Sequence, residues 1–424
     1  MSVNIRTLVI FVIGISASVK VRFFGELYGS DILLFVICLW LSRTSNTLLS
    51  QDGDRNLRNV FIALALWLFG LVISDVVNNS ALDDLIRGWA RVIFFGTDLF
   101  GILLIVRWEL KNLRTLLYGW AASYAIVGLF PSVGSVADNP WKFTFAPAFS
   151  LFMLLLATKA SVRHRLGPIG QVTPLVIIGV FLLYNDVRSG FLVYVSAALF
   201  AWLKLWLERA PEFRRKLTPV AFVAMALVGG AAAATSSTVY GDLARSGYLG
   251  DAAKEKYVEQ SQSELGLFLA GRSEILIASK AIIDSPIIGY GSWARNMEIV
   301  SQYVDTLIEA GLPVDIDRYY KGTVGNKAGV IPSHSHLFGS WLEAGILGAG
   351  FWIFALIMSV KALYEMLKVK FPACCLVSPI IFFAIWDFLF SPFGGDHRFV
   401  AAIELSTVLL TLNECALITR SMRK

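Results

Sequence analysis

The chain has 424 residues, of which 56% are hydrophobic, with a mean hydropathy of +0.65 and a formal net charge of +6. Soluble domains lie nearer about 45–50% apolar, and here apolar runs approach the ~20 residues that cross a hydrocarbon core. A soluble fold is therefore excluded. The positive charge reads loop by loop as membrane topology, with no nucleic acid as partner. Cys38, Cys374, Cys375 and Cys415 lie in or beside apolar segments at spacings that fit no zinc site, and read as small hydrophobes.

About twelve spans are predicted by the apolar runs. The first six are roughly Thr7–Val19, Asp31–Leu41, Val60–Val76, Val92–Val106, Leu113–Leu129 and Thr144–Ala157. Next come Pro174–Tyr184, Phe191–Leu203 and Pro219–Ala234, then His336–Leu356 with some extension, Leu376–Phe390 and Val400–Ile418. The first run lacks a clear cleavage site, so it reads as a span and not as a signal peptide. Arg43, Arg55 and Arg58, then Arg107, Lys111 and Arg114, then Lys204, Arg209 and Arg214 fall in alternate loops. That bias places both termini in the cytoplasm.

Residues 235–333 differ: they are polar and too long for an ordinary connection. Asp251–Leu267 and Arg272–Ile283 each alternate charged and apolar residues at helical spacing. The expectation is an all-α polytopic membrane protein in three parts. Residues 1–234 form spans one to nine, 235–333 a mostly helical extracytoplasmic loop domain, and 334–424 the last three spans.

The stretch Pro332–Gly348 joins that loop to the tenth span and holds two of the four histidines. At about 100° per residue, His334, Phe338, Trp341, Gly345 and Gly348 share one helical face, and His336 points away. Small residues on such a face let a neighbouring helix approach closely. A histidine at a helix start is a candidate general base, since the helix dipole there favours neutral imidazole. Arg188, in the tight turn between spans seven and eight, and Arg272, opening an amphipathic helix, are outside-facing cations. Two guanidinium forks can neutralise phosphate oxygens, and converging they would stabilise a diphosphate leaving group as a divalent metal otherwise would. Ser335 and Tyr290 beside these features, together with Trp386, Asp387, His397 and Arg398, are candidate substrate contacts, because intramembrane polar groups are functional suspects. Asp315-Ile316-Asp317 resembles an acidic metal-binding pair but stands alone on an outside loop, so no metal is expected there.

Three stretches carry a family resemblance. His334-Ser335, nine residues, then Gly345-Ile346-Leu347-Gly348 is similar to the histidine motif of the O-antigen ligase and polymerase superfamily of bacterial envelope enzymes. Arg272 followed by Pro286-Ile287-Ile288-Gly289-Tyr290-Gly291 resembles that family's arginine and Pro-apolar-apolar-Gly-x-Gly turn. Val187-Arg188-Ser189-Gly190 resembles its Ser-Arg-Gly turn, departing by valine before the arginine and serine after it. The resemblance implies a GT-C-like inner-membrane glycosyltransferase, inverting and metal-independent, with no cofactor. Its donor would be an undecaprenyl-diphosphate-linked O-antigen and its acceptor lipid A–core, with the active site facing the periplasm. Arg188 and Arg272 would hold the diphosphate, and His334 would act on the acceptor hydroxyl. Polymerisation onto a second lipid-linked glycan is the nearest alternative, and transfer to protein is a third variant. A lipid-linked glycan flippase, from another class, would also need many spans and buried arginines. It would be expected to show repeated halves, which this sequence does not display by eye.

Overall fold

The computed structural model describes residues 4–22, 25–44, 54–130, 139–224, 241–242, 245–248, 254, 257–258, 273–312, 314, 316–320 and 328–422. Among the described residues the architecture is all-α apart from one short hairpin, β1 (Lys20–Arg22) with β2 (Glu26–Tyr28), which pairs Val21 with Leu27, and a single bridge between Arg295 and Val330. The helices are α1 (Ile5–Ser16), α2 (Gly29–Thr44), α3 (Asp54–Val77), α4 (Leu82–Val106) and α5 (Leu110–Leu129). A π-helical turn, Trp141–Phe145, leads into α6 (Ala146–Ala157), followed by α7 (Ala160–Tyr184), α8 (Arg188–Arg209) and α9 (Pro211–Lys216). The stretch between residues 235 and 333 supplies α10 (Glu274–Asp284), α11 (Met297–Glu309) and α12 (Ile316–Tyr320). The chain ends in α13 (His336–Lys368), α14 (Cys374–Phe390) and α15 (Gly395–Ser421).

Five of these helices are long and apolar enough to cross a membrane, as an all-α membrane protein requires: α3 from Arg55, α4, α8, α13 and α15 from His397. Five shorter apolar helices accompany them. In hydrocarbon no water can satisfy a backbone amide, so apolar runs of this length close their hydrogen bonds internally as helices. Most of the predicted ninth span and the amphipathic stretch Asp251–Leu267 lie outside the described residues.

Close backbone approach and aromatic packing hold the bundle. A Cβ on Gly14 would sit 2.5 Å from the Leu116 carbonyl oxygen, so α1 and α5 cross where neither carries a side chain. Trp67 of α3 stacks on Phe351 of α13 at 5.2 Å, with Phe95, Trp352 and Phe393 completing a buried aromatic cluster. Such rings add about 0.5–1.5 kcal/mol per pair beyond their buried area.

The bundle has two chemically distinct ends. At one, Arg6 donates to the Ile105 carbonyl at 2.7 Å, Arg114 to the Thr158 hydroxyl at 2.5 Å, and Lys204 to the Val369 carbonyl at 2.8 Å. At the other lie the hairpin, the Asp186 turn and the cap formed by α10 and α11. Ile277, Ala281, Ile299, Tyr303 and Leu307 make the apolar interior of this cap, and Leu342 of α13 enters it. Arg398, at the start of α15, is buried and donates to Asp31 and to the Glu26 carbonyl, tying the hairpin to this end. The two ends of the chain, Arg6 and Arg420, therefore lie opposite the cap.

Candidate functional site

The site grows from the start of α13. Pro332 precedes three residues without regular structure, and Ser335 takes extended angles (φ −153°, ψ 134°) as N-cap. Its hydroxyl accepts from the Phe338 amide at 3.2 Å and donates to the Phe388 carbonyl at 3.1 Å. A capping serine satisfies an orphan amide of the first turn. Ser335 is buried in this role. His334 thus precedes the helix, and its side chain, 42% exposed, lies with Nε2 3.5 Å from Oε1 of Glu274.

The expectation of one continuous helical face from His334 to Gly348 is corrected here, because the helix begins at His336 and breaks at Gly345 (φ 60°, ψ −151°). The two histidines still differ as expected. His336 is 1% exposed, with Nδ1 2.5 Å from the Ser391 carbonyl oxygen and its ring 4.8 Å from Trp352 and 5.1 Å from Phe393. His334 is part exposed and His336 packs inside.

What approaches Gly345 is a turn, whereas the atoms nearest Gly348 belong to its own helix, and the neighbouring helix α3 comes close through Gly70 at Ala344 and Leu347. The segment Pro286–Gly291 docks into the break in α13. The Ile346 amide donates to the Ile287 carbonyl at 3.2 Å, the Tyr290 amide to Leu342 at 2.7 Å, and the Gly291 amide to Glu343 at 3.1 Å. Each backbone supplies partners that the other lacks, which removes the cost of breaking a helix in the interior. A Cβ on Gly345 would lie 1.8 Å from the Ile287 oxygen, and one on Gly289 (φ 80°) 2.6 Å from the Leu342 oxygen. The Pro-Ile-Ile-Gly-Tyr-Gly turn and the Gly-x-x-Gly step are one interlocked unit.

Charged side chains fix that unit to the bundle. Asp75 of α3 accepts from the Ser292 amide at 2.6 Å, from its hydroxyl at 2.8 Å, and from the Trp89 indole at 2.8 Å. Glu343 pairs with Arg91 of α4 and accepts from the Trp293 amide at 3.3 Å. Asp84 pairs with Arg295 at 2.7 Å and Arg87 at 2.8 Å. Hydrogen bonds to ionised groups are roughly twice as strong as neutral ones. His334 is thereby carried on a rigid support.

Glu274 is the group that the sequence reading missed. It opens α10, whose preceding residue Ser273 shares a 2.9 Å hydrogen bond with the Tyr303 hydroxyl. Burial raises the Tyr303 phenol above its ordinary range, so the hydroxyl stays protonated. A carboxylate on a histidine nitrogen can orient the ring for proton transfer through the other nitrogen. Arg272, two residues before Glu274, lies outside the described residues, as does Asp315; Asp317 is exposed.

Arg188 begins α8, with Nε 3.1 Å from Oδ1 of Asp186. Tyr194 meets Phe383 and Lys204 reaches Val369, so α8 runs antiparallel to α14. Arg188 therefore lies toward the Phe388–Ser391 end, where Ser335 and His336 are bonded. The remaining expected contacts divide. Tyr290 donates its hydroxyl to the Ala281 carbonyl at 3.1 Å, and its phenol is raised by burial and by Asp284. Asp387 accepts from the Ser391 hydroxyl at 2.6 Å, and Trp386 packs 4.9 Å from Phe390. The His397 ring is 5.9 Å from that of His336, and Arg398 is occupied by Asp31. His334 and Arg188 thus share one end of the bundle, while Ser335 and Arg398 have structural partners. Comparison with known proteins gives no match, either to a protein-family profile or to a characterised protein.

Proposed function

We propose that this chain is an inverting glycosyltransferase that moves a glycan from undecaprenyl diphosphate onto a sugar hydroxyl of lipid A–core. The reading places both termini in the cytoplasm and the cap in the periplasm of a bacterial inner membrane. The observation that carries it is the contact of His334, just before α13, with Glu274, at the start of α10, at the bundle end that also bears Arg188.

The reaction asks for three things. A base must take the acceptor proton, positive charge must meet the leaving diphosphate, and lipid tails must reach the site from the membrane. The ring of His334, steadied at Nε2 by Glu274, takes the hydroxyl proton as that oxygen attacks the anomeric carbon. The bond from that carbon to the diphosphate oxygen breaks, and its electron pair leaves with undecaprenyl diphosphate. Arg188 and Arg272 balance the charge that develops on the phosphate oxygens, and so supply electrostatically what a metal ion supplies elsewhere. Attack from the face opposite the leaving group inverts the anomeric centre.

The test uses purified protein, undecaprenyl-diphosphate glycan and lipid A–core in detergent containing EDTA. Shifted lipid A–core on a gel from wild type, and none from His334→Ala, supports the reading. A ladder formed from lipid-linked glycan alone would reassign the chain as a polymerase. Unchanged donor in every arm would remove the transferase reading.

A further inference from the structure

The π-helical turn and the Asp186 turn meet in a cluster that the reaction above leaves half used. Asp186 sits in left-handed backbone (φ 55°), which brings both its carboxylate oxygens to cations. Lys142 Nζ lies 2.7 Å from Oδ2 and Arg188 Nε 3.1 Å from Oδ1. The neighbouring Trp141 indole donates to the side-chain oxygen of Asn185, so two consecutive residues of the π-helical turn grip two consecutive residues of the Asp186 turn. Such π-helical turns carry an extra residue per turn and are frequent at functional sites. Here that geometry turns Lys142 inward, 20% exposed, while Trp141 and Phe143 remain on the surface at 49% and 43%.

One carboxylate thus holds two cations apart, and the three groups sum to one net positive charge. A carboxylate spanning an amine and a guanidinium occupies the place of a more highly charged anion with the same kind of oxygens. We propose that Lys142 is a binding residue for the diphosphate of a polyprenyl-diphosphate lipid, forming with Arg188 a two-cation cradle that Asp186 keeps in register. This deepens the transferase reading and rests on it. A diphosphate carries more charge than one carboxylate and presents oxygens on two phosphorus centres, so it can engage both cations at once. An ammonium acts there as a point charge beside the planar fork of the arginine. The exposed Trp141 suits the membrane interface at which such a headgroup sits.

The experiment measures binding of undecaprenyl diphosphate, undecaprenyl monophosphate and phosphatidylglycerol to the full-length protein in detergent. Wild type, Lys142→Ala, Lys142→Gln and Arg188→Ala are compared, with thermal melting as the folding control. The expected result is a loss of about tenfold or more in diphosphate affinity for both Lys142 variants, with a smaller loss for monophosphate and unchanged melting, because a part-exposed ion pair adds little to stability. Equal weakening toward phosphatidylglycerol would overturn the diphosphate assignment in favour of a general headgroup site. Wild-type affinity in both Lys142 variants, with loss in Arg188→Ala, would overturn the role of Lys142 and leave the transferase reading standing. No diphosphate binding by wild type would overturn both.

Discussion

His334 and His336 are two residues apart, and the structure assigns them opposite fates. One borders Glu274 and is part exposed, and the other is enclosed by Trp352, Phe388 and Phe393. If His334 takes the acceptor proton, His334→Ala lowers kcat by about 100-fold or more, with donor affinity near wild type by direct binding. Glu274→Gln keeps the size of the side chain but removes its charge, and lowers kcat by about tenfold, as a ring-orienting partner of a base would. Combined with His334→Ala it has little further effect, because residues acting as a unit are not additive. Losses that multiply in the double variant would show that the two act separately. His334 was legible in the sequence because histidine is rare in this chain and sits at a sharp change from polar to apolar residues. Glu274 was not, since nothing in one sequence pairs residues separated by 60 positions across a turn.

At the scale of elements, the account rests on the interlock between the turn at Pro286–Gly291 and the broken helix α13. Gly345→Ala must place a methyl group 1.8 Å from a carbonyl oxygen in backbone of positive φ. The expected loss is about 2–4 kcal/mol, left-handed backbone and steric overlap acting together, read as a lower melting temperature in detergent. Gly350→Ala is the control: nothing lies within 4 Å of its added methyl group, so melting holds or rises slightly. Asp75→Ala removes the acceptor of the Ser292 amide and hydroxyl. It raises hydrogen exchange of residues 289–295 with little change in α15, and uniform exchange across both would contradict this anchoring. The five helices long enough to cross a membrane each cover one of the predicted spans, since apolar length alone reports them. The break at Gly345 was hidden because Gly-x-x-Gly is equally the mark of a helix crossing. Only the partner distinguishes the two, and the partner is a turn 52 to 59 residues earlier in the chain.

Over the whole molecule, Arg6, Arg114 and Lys204 mark one end of the bundle and the cap closes the other. In a background with the four cysteines replaced by serine, Lys111→Cys reports the first end and Glu298→Cys the second, both positions being exposed. An impermeant maleimide applied to intact bacterial cells with a permeabilised outer membrane labels Glu298→Cys and spares Lys111→Cys. The reverse pattern would invert the orientation and take His334 away from the periplasm. Charge bias is the basis in the sequence for the orientation under test, whereas the joining of Lys142 to Arg188 through Asp186 needed the fold. The central claim, a single displacement at carbon assisted by His334, is tested most directly by the stereochemistry of the product. The protein is given a donor glycan of known anomeric configuration, and the new linkage is read by nuclear magnetic resonance. The account predicts the opposite configuration in the product, formed by wild type and not by His334→Ala. A retained configuration, or a donor released unchanged on the far side of a vesicle with no new linkage, would contradict it.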